Sequence, residues 1–312
     1  PFEGFPDVID FTRDIQPILD RNCVECHTYT KRDGFAILEG DLGPHWSHSY
    51  FSLFAHREVA DGRNGLGNQP PRTIGSSASE LLKKVDGSHY DVKVSPREWR
   101  MLWLWIESGA TYAGSYAALR NEREQALPGP AVGAVFGGER NTLNRRCSQC
   151  HVLDDRQSEE GLPIPFAPET QRNPRGVDRP TAIYERIVLE DDPLRRFSAN
   201  ILLNYTRPEY SPLLLGPLAK DAGGYGSCGE VFKDKDDPDY QRLLAAIEKG
   251  KAILDSEPRY GTPEFRPNRQ YVRELKRFDV LPESFDLAND PIEVFDADQH
   301  YWRSLWWRPG GE

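Results

Sequence analysis

Two short runs of this chain combine paired thiols with an imidazole. The first is Cys23-Val24-Glu25-Cys26-His27, and the second is Cys147-Ser148-Gln149-Cys150-His151. Together they use four of the five cysteines. C-x-x-C-H is the attachment signature of c-type haem. Two thiols three positions apart lie on one side of a helical turn and can form thioethers to the two haem vinyl groups. The histidine that follows then lies beneath the iron and supplies a nitrogen ligand. Cys23, Cys26, Cys147 and Cys150 are therefore expected to bind two covalent haem c groups, with His27 and His151 as metal ligands.

Plainer readings of a C-x-x-C pair are a redox dithiol and half of a zinc site. Two pairs forming one Cys-four zinc site would sit about 15–20 residues apart, whereas 120 residues lie between Cys26 and Cys147. A dithiol has no need of a histidine directly after both pairs. The repetition of the full five-residue pattern favours haem.

The distal side of each iron decides what the haem can do, because two strong protein ligands leave only electron transfer. In small cytochromes c the distal residue lies just before a closing helix. Ser88-His89-Tyr90 occupies that place in the first half, so His89 is the expected distal ligand there. His45, His48 and His56 compete with it. The single methionine, Met101, falls inside the closing helix. The second half has no histidine in the matching place. Cys228, the fifth cysteine, lies there in Gly226-Ser227-Cys228-Gly229. It is either a buried free thiol, a partner for an intermolecular disulfide, or a distal sulfur ligand. His300 and an open iron are the other possibilities for the second haem.

Helices must carry these groups. Ile15, Ile18 and Leu19 recur at helical spacing before the first motif. Ser95-Pro96-Arg97-Glu98 is a capping box with proline at the first helical position. The helix it opens carries Trp99, Leu102, Trp103 and Ile106 at i, i+3, i+4 and i+7, a core-facing stripe, and runs out near Gly109. The second half repeats the plan. Ser79-Glu80-Leu81-Leu82 after the first motif is echoed by Ser211-Pro212-Leu213-Leu214 after the second. A helix opened by Asp237-Pro238 buries Leu243, Leu244 and Ile247 and is expected to stop at Gly250. Arg21 and Asn22, and Arg145 and Arg146, precede the two motifs. Arginine suits a haem propionate, although a solvated basic helix face explains any one of them as well.

The expected fold is mainly α, with two cytochrome c-like haem domains joined by long irregular connections. Residues 1–125 form the first domain. Residues 126–139, rich in Gly and Pro, form a linker. Residues 140–312 form the second domain with a C-terminal extension. The extension ends on Tyr301, Trp302, Trp306 and Trp307, which should fold back on the body or form a subunit interface.

The chain has 312 residues and a formal net charge of −10, to which two haems would add four propionates. Nucleic acid as a partner is excluded on charge, and no apolar run reaches the length of a transmembrane segment. The sequence starts at Pro1 with no charged-then-apolar leader, which is expected of a processed mature form or a fragment.

The stretches DIQPILDRNCVECH, SHYDVKVSPREWRMLWLWIESGATYAGSY, RRCSQCH, NYTRPEYSPLLLGPLAKDAGG and CGEVFKDKDDPDYQRLLAAIEKGK resemble the planctomycete-type cytochrome c proteins. Within that group they are most similar to the C-terminal dihaem region of hydrazine synthase alpha subunits and their relatives. The resemblance implies an exported, periplasmic or otherwise extracytoplasmic redox protein that works with a redox partner or other subunits of a complex. The catalytic haem of that family takes a tyrosine near its motif as iron ligand. The nearest one here is Tyr29, two residues past His27, a spacing that departs from that arrangement. The expected function is electron transfer by a dihaem cytochrome, with no catalytic residue assigned. The alternative is a haem redox enzyme, hydrazine synthase-like or peroxidase-like, with one open iron.

Overall fold

The computed structural model describes residues 4–60, 70–118, 128–148, 199–256, 260 and 265–306. Within them the chain is mainly helical, with isolated β-bridges and no strand. A π-helical turn at Phe11–Ile15 leads into α1 (Gln16–Asn22), which delivers the first motif. Asp10 starts the turn: its carboxylate accepts bonds from the backbone of Thr12 and Arg13, satisfying donors that a helix start leaves free. Then follow α2 (His48–Ala55), the short α3 (Glu80–Lys84) and α4 (Pro96–Glu107). The predicted capping box is formed at Ser95 and Glu98.

The buried face of α4 differs from the predicted stripe. Met101, Leu102, Trp105 and Ile106 are buried, while Trp103 is half-buried and Trp99 exposed. The indole of Trp105 fixes this rotation, because its Nε1 donates to the Thr111 carbonyl at 2.9 Å while its rings fill the core. That core joins Phe11, Ile15, Ile18 and Leu19 to Leu81, Leu82 and the α4 face. Each such side chain contributes about 1.5–3 kcal/mol when fully buried.

The expected linker at 126–139 is corrected. Residues Pro128–Phe136 form α5, and Ala131, Val132, Val135 and Phe136 are fully buried. Pro128 suits the first helical position, and the apolar residues fall on one face, so packing outweighs the Gly and Pro content. The partner of α5 is α9 (Pro238–Asp255). This helix does not stop at Gly250. A Cβ there would lie 2.7 Å from the Ala131 carbonyl oxygen and 2.8 Å from the Tyr205 ring. Glycine at this point lets the two helices meet, which is why it interrupts the sequence without ending the helix. The remaining elements of this half are α6 (Arg140–Cys147), α7 (Ala199–Leu202) and α8 (Pro212–Leu215). Leu243 and Ile247 of α9 are buried as expected, and Leu244 is half-buried.

The C-terminal helices α10 (Arg269–Arg277) and α11 (Val294–Ser304) build a third core with Ala117. The sequence places this region with the second half, but its polar contacts reach the N-terminal segment. Arg303 pairs with Asp7 at 2.9 Å, Gln299 accepts from the Asp7 amide, Tyr260 donates to Asp10, and Arg13 lies 4.2 Å over the Phe295 ring. Tyr301 packs edge-on against Phe278, while Trp302 stays partly exposed. Trp307 lies outside the described residues.

The two halves meet along a polar seam. Asn200 accepts from the backbone of His45 and Trp46, and Tyr205 donates its amide to Leu42. Arg207 pairs with Glu39 at 2.8 Å and Asp41 at 2.7 Å, and Asn204 donates to Asp41. Tyr225 donates its hydroxyl to the Tyr29 carbonyl at 2.7 Å.

Candidate functional site

The first motif forms a tight turn at the end of α1. Cys23 donates its amide to Leu19, and both Cys26 and His27 donate theirs to the Cys23 carbonyl. The two sulfurs and the His27 ring are thereby carried on one turn of backbone. The return of the chain fixes the ring. His27 Nδ1 lies 2.8 Å from the Asp33 carbonyl oxygen. A carbonyl can only accept, so the proton sits on Nδ1 and the lone pair on Nε2. This is how ligating imidazoles are oriented. The Asp33 amide in turn donates to the Cys26 carbonyl, and the Leu38 amide to the His27 carbonyl. Arg32, Gly34 and Phe35 all take left-handed conformations around Asp33, which bends the loop back onto the motif.

The second imidazole comes from the connection between α3 and α4. The rings of His27 and His89 are 6.1 Å apart between centroids and 13° from parallel. A metal bonded to one nitrogen of each ring at about 2.0–2.1 Å would hold the centroids roughly 6 Å apart. The centroid spacing of the pair matches that of two axial imidazoles on one iron, and Cys23 and Cys26 share the backbone turn of His27. Among the described residues no group of three or more His, Cys, Asp or Glu could hold a metal ion by itself.

The electrostatics of the turn bear on the other uses of a C-x-x-C pair. Burial, reinforced by Asp20, Cys26 and Glu58, pushes the Cys23 thiol up to about 11. A dithiol that attacks disulfides works through a thiolate with a lowered pKa, so this environment opposes that chemistry. Burial, with His89 adding to it, lowers the His27 pKa despite the bond to Asp33. The neutral imidazole, the form that ligates a metal, is the favoured one.

The competing histidines have other partners. His48 is fully buried and its Nε2 donates to the Leu203 carbonyl at 2.9 Å across the seam. His45 packs on Trp46, and His56 caps α2. Tyr29 turns away into the seam, where it is buried between His48 and Tyr210 with Arg207 above it. His300 is exposed on α11.

The second motif is described only in part. Cys147 ends α6, half-buried against the second core. Cys150 and His151 lie outside the described residues. Cys228 is exposed in a loop whose amides at 225, 226 and 228 bond the carbonyls of Leu215, Leu218 and Gly216.

The two halves share a contact that the sequence reading passed over. Arg21, two residues before Cys23, pairs with Glu98 in the first turn of α4 at 2.9 Å. Arg145, two residues before Cys147, pairs with Asp239 in the first turn of α9 at 2.6 Å. Burial opposes ionisation of Glu98, but the bonds from Ser95 and Arg21 outweigh it and hold the carboxyl at about 2. Ser79 and Ser211 correspond too: both are buried, and each hydroxyl accepts a backbone amide of the preceding loop, from Ala60 and Asn204 respectively. The equal offset of the two arginines from their motifs was the available signal.

Comparison with family models, curated proteins and solved structures finds no match to this chain.

Proposed function

We propose that this protein is a dihaem c-type cytochrome that transfers electrons, working outside the cytoplasm with a redox partner or as one subunit of a larger assembly. The observation that carries the reading is the His27–His89 pair. Two near-parallel imidazoles have ring centroids 6.1 Å apart, and the one oriented by a backbone carbonyl directly follows the two thiols of a haem attachment motif. A bound haem would supply a one-electron carrier there, and two imidazole ligands suit electron transfer rather than substrate binding. The chain's own part is to fix ring orientation through Asp33 and to pack Cys23 and Val24 of the motif against the core that includes α4.

The repeated features support two cytochrome c-like units. Each has a motif-bearing helix, an arginine bridge to a closing helix opened by proline, and a buried serine ahead of a Leu-Leu pair. Cys147, Cys150 and His151 would hold the second haem. Cys228, on the loop between α8 and α9, is its candidate distal ligand. The resemblance to planctomycete-type dihaem cytochromes supports the extracytoplasmic setting.

The test is haem stoichiometry after denaturation. Two haems per chain that stay attached in denaturant, falling to one in Cys23→Ala/Cys26→Ala, are expected. Haem that washes out of the denatured wild type would overturn the reading.

A further inference from the structure

The two imidazoles facing each other are held very differently. His27 is anchored by its amide to Cys23, by its carbonyl to Leu38 and by its ring to Asp33. Tyr29 and Ile37 of its loop are buried against Leu215, while Asp33, Gly34 and Phe35 at the tip are exposed. His89 sits on an exposed turn between α3 and α4. The hydrogen bonds of that turn stay local: the Ser88 amide to Asp86, the Ser88 hydroxyl to Lys83, and the Val92 amide to His89. Among the described residues the ring of His89 stacks with His27 and meets Tyr90 edge-on at 4.9 Å, and no hydrogen bond orients it.

The turn also uses the left-handed region, as the turn around Asp33 does, so what separates the two is the hydrogen bond that orients the His27 ring and the buried Tyr29 that follows it. Gly87, Tyr90 and Asp91 have φ of 108°, 48° and 62°. The left-handed region is unfavourable for residues with a Cβ, and for a bulky residue such as Tyr it is a true outlier. No burial compensates, since Tyr90 is 89% exposed. Segments with few buried contacts and exposed backbone bonds open most readily. Outer partners of a ligating histidine are worth 10–100-fold in metal affinity, so a ligand without one starts at a disadvantage of that order.

Resting on the reading of the first haem given above, we propose that His89 is an exchangeable ligand. The turn at 87–91 swings out, and a small neutral molecule that ligates through one atom, such as imidazole on ferric iron or carbon monoxide on ferrous iron, takes its place. The exchange breaks one iron–nitrogen bond and forms one bond to the incoming ligand, with no change of oxidation state. His27 stays bound throughout, because Asp33 and the flanking thioethers hold it. The first unit is then both an electron carrier and a ligand-binding site gated by its distal turn.

Rapid mixing of the oxidised, haem-loaded full chain with imidazole tests this. In the wild type the observed rate should rise with imidazole and then saturate, because release of His89 comes first. His89→Ala removes the ceiling and makes the rate linear in imidazole. Asp91→Gly, which accepts the left-handed conformation freely, should lower the ceiling roughly fivefold by stabilising the closed turn. Any response of the second haem is common to all three proteins and subtracts. A wild type showing none of the response of His89→Ala would overturn the proposal and leave the axial pair intact. A wild type with linear rates equal to those of His89→Ala would mean that His89 never binds iron, which sinks the reading of the site as well.

Discussion

The rings of His27 and His89 lie 6.1 Å apart and 13° from parallel. Among the described residues only one of them, His27, has a hydrogen-bonding protein group, the Asp33 carbonyl, to set its orientation. Because that group is backbone, side-chain substitution of Asp33 should leave the ligand in place. Gly34, at φ 63°, is the more sensitive position. Gly34→Val forces a β-branched residue into the left-handed region, which costs on the order of 1–2 kcal/mol, and should loosen the turn that presents the carbonyl. A shifted visible spectrum of the first haem, with Asp33→Asn unchanged, is the expected outcome.

Gly250 permits the closest approach of two helices in the second half. Glycine to alanine inside a helix ordinarily stabilises by about 0.5–1 kcal/mol. Here the new Cβ would meet the Ala131 carbonyl at 2.7 Å, so Gly250→Ala should instead destabilise by roughly 1–3 kcal/mol. Denaturant unfolding followed by circular dichroism would read this. A stabilised variant would show that α5 does not press on α9.

His48 makes stability depend on pH. Burial, the largest cause, lowers its pKa from 6.5 to about 4, against the opposing bond to Leu203. The folded state therefore holds the neutral ring, while the unfolded chain takes up a proton near pH 6.5. Stability from this group is complete above that pH and is lost as the pH falls toward 4, by about 3 kcal/mol in all. His48→Gln should flatten the decline between pH 6.5 and 4 relative to wild type. Parallel declines in the two proteins would contradict this assignment.

The seam between the halves depends on Arg207. It pairs with both Glu39 and Asp41 and is partly exposed. Hydrogen bonds to charged groups contribute about 1.5–3 kcal/mol when solvent is largely excluded, and less here. Arg207→Gln should weaken the union of the halves, appearing as two separable unfolding transitions where the wild type shows one. Arg21→Gln, whose pair with Glu98 is more exposed on the arginine side, should change stability by less than about 1 kcal/mol.

What could be read from sequence followed the range of the interactions involved. The first C-x-x-C-H turn, the Ser95–Glu98 capping box and the Asp237-Pro238 helix start are set by neighbours within five residues, and local chemistry spells them out. The place of His89 ahead of the α4 cap is likewise local, and its ring lies 6.1 Å from that of His27. The buried face of α4 was misplaced because Trp99 and Trp105 are equivalent in composition, and only the carbonyl of Thr111 selects the second. Residues 126–139 read as a linker from their Gly and Pro content, but Ala131, Val132, Val135 and Phe136 supply a buried face, and Gly250 reads as a helix stop because a glycine that admits a helix contact looks like one that breaks a helix. The Tyr29–His48–Arg207 seam joins groups more than 150 residues apart and left no local trace. The Asp33 carbonyl is backbone, which any residue would supply.

The most direct test of the central claim is electron paramagnetic resonance of the oxidised, haem-loaded protein beside His89→Ala. The wild type should show a low-spin signal, of the rhombic type that near-parallel imidazoles produce, and His89→Ala should convert one haem's worth of it to high spin. Identical spectra from the two proteins would contradict the pairing of His27 with His89, and with it the account of this site.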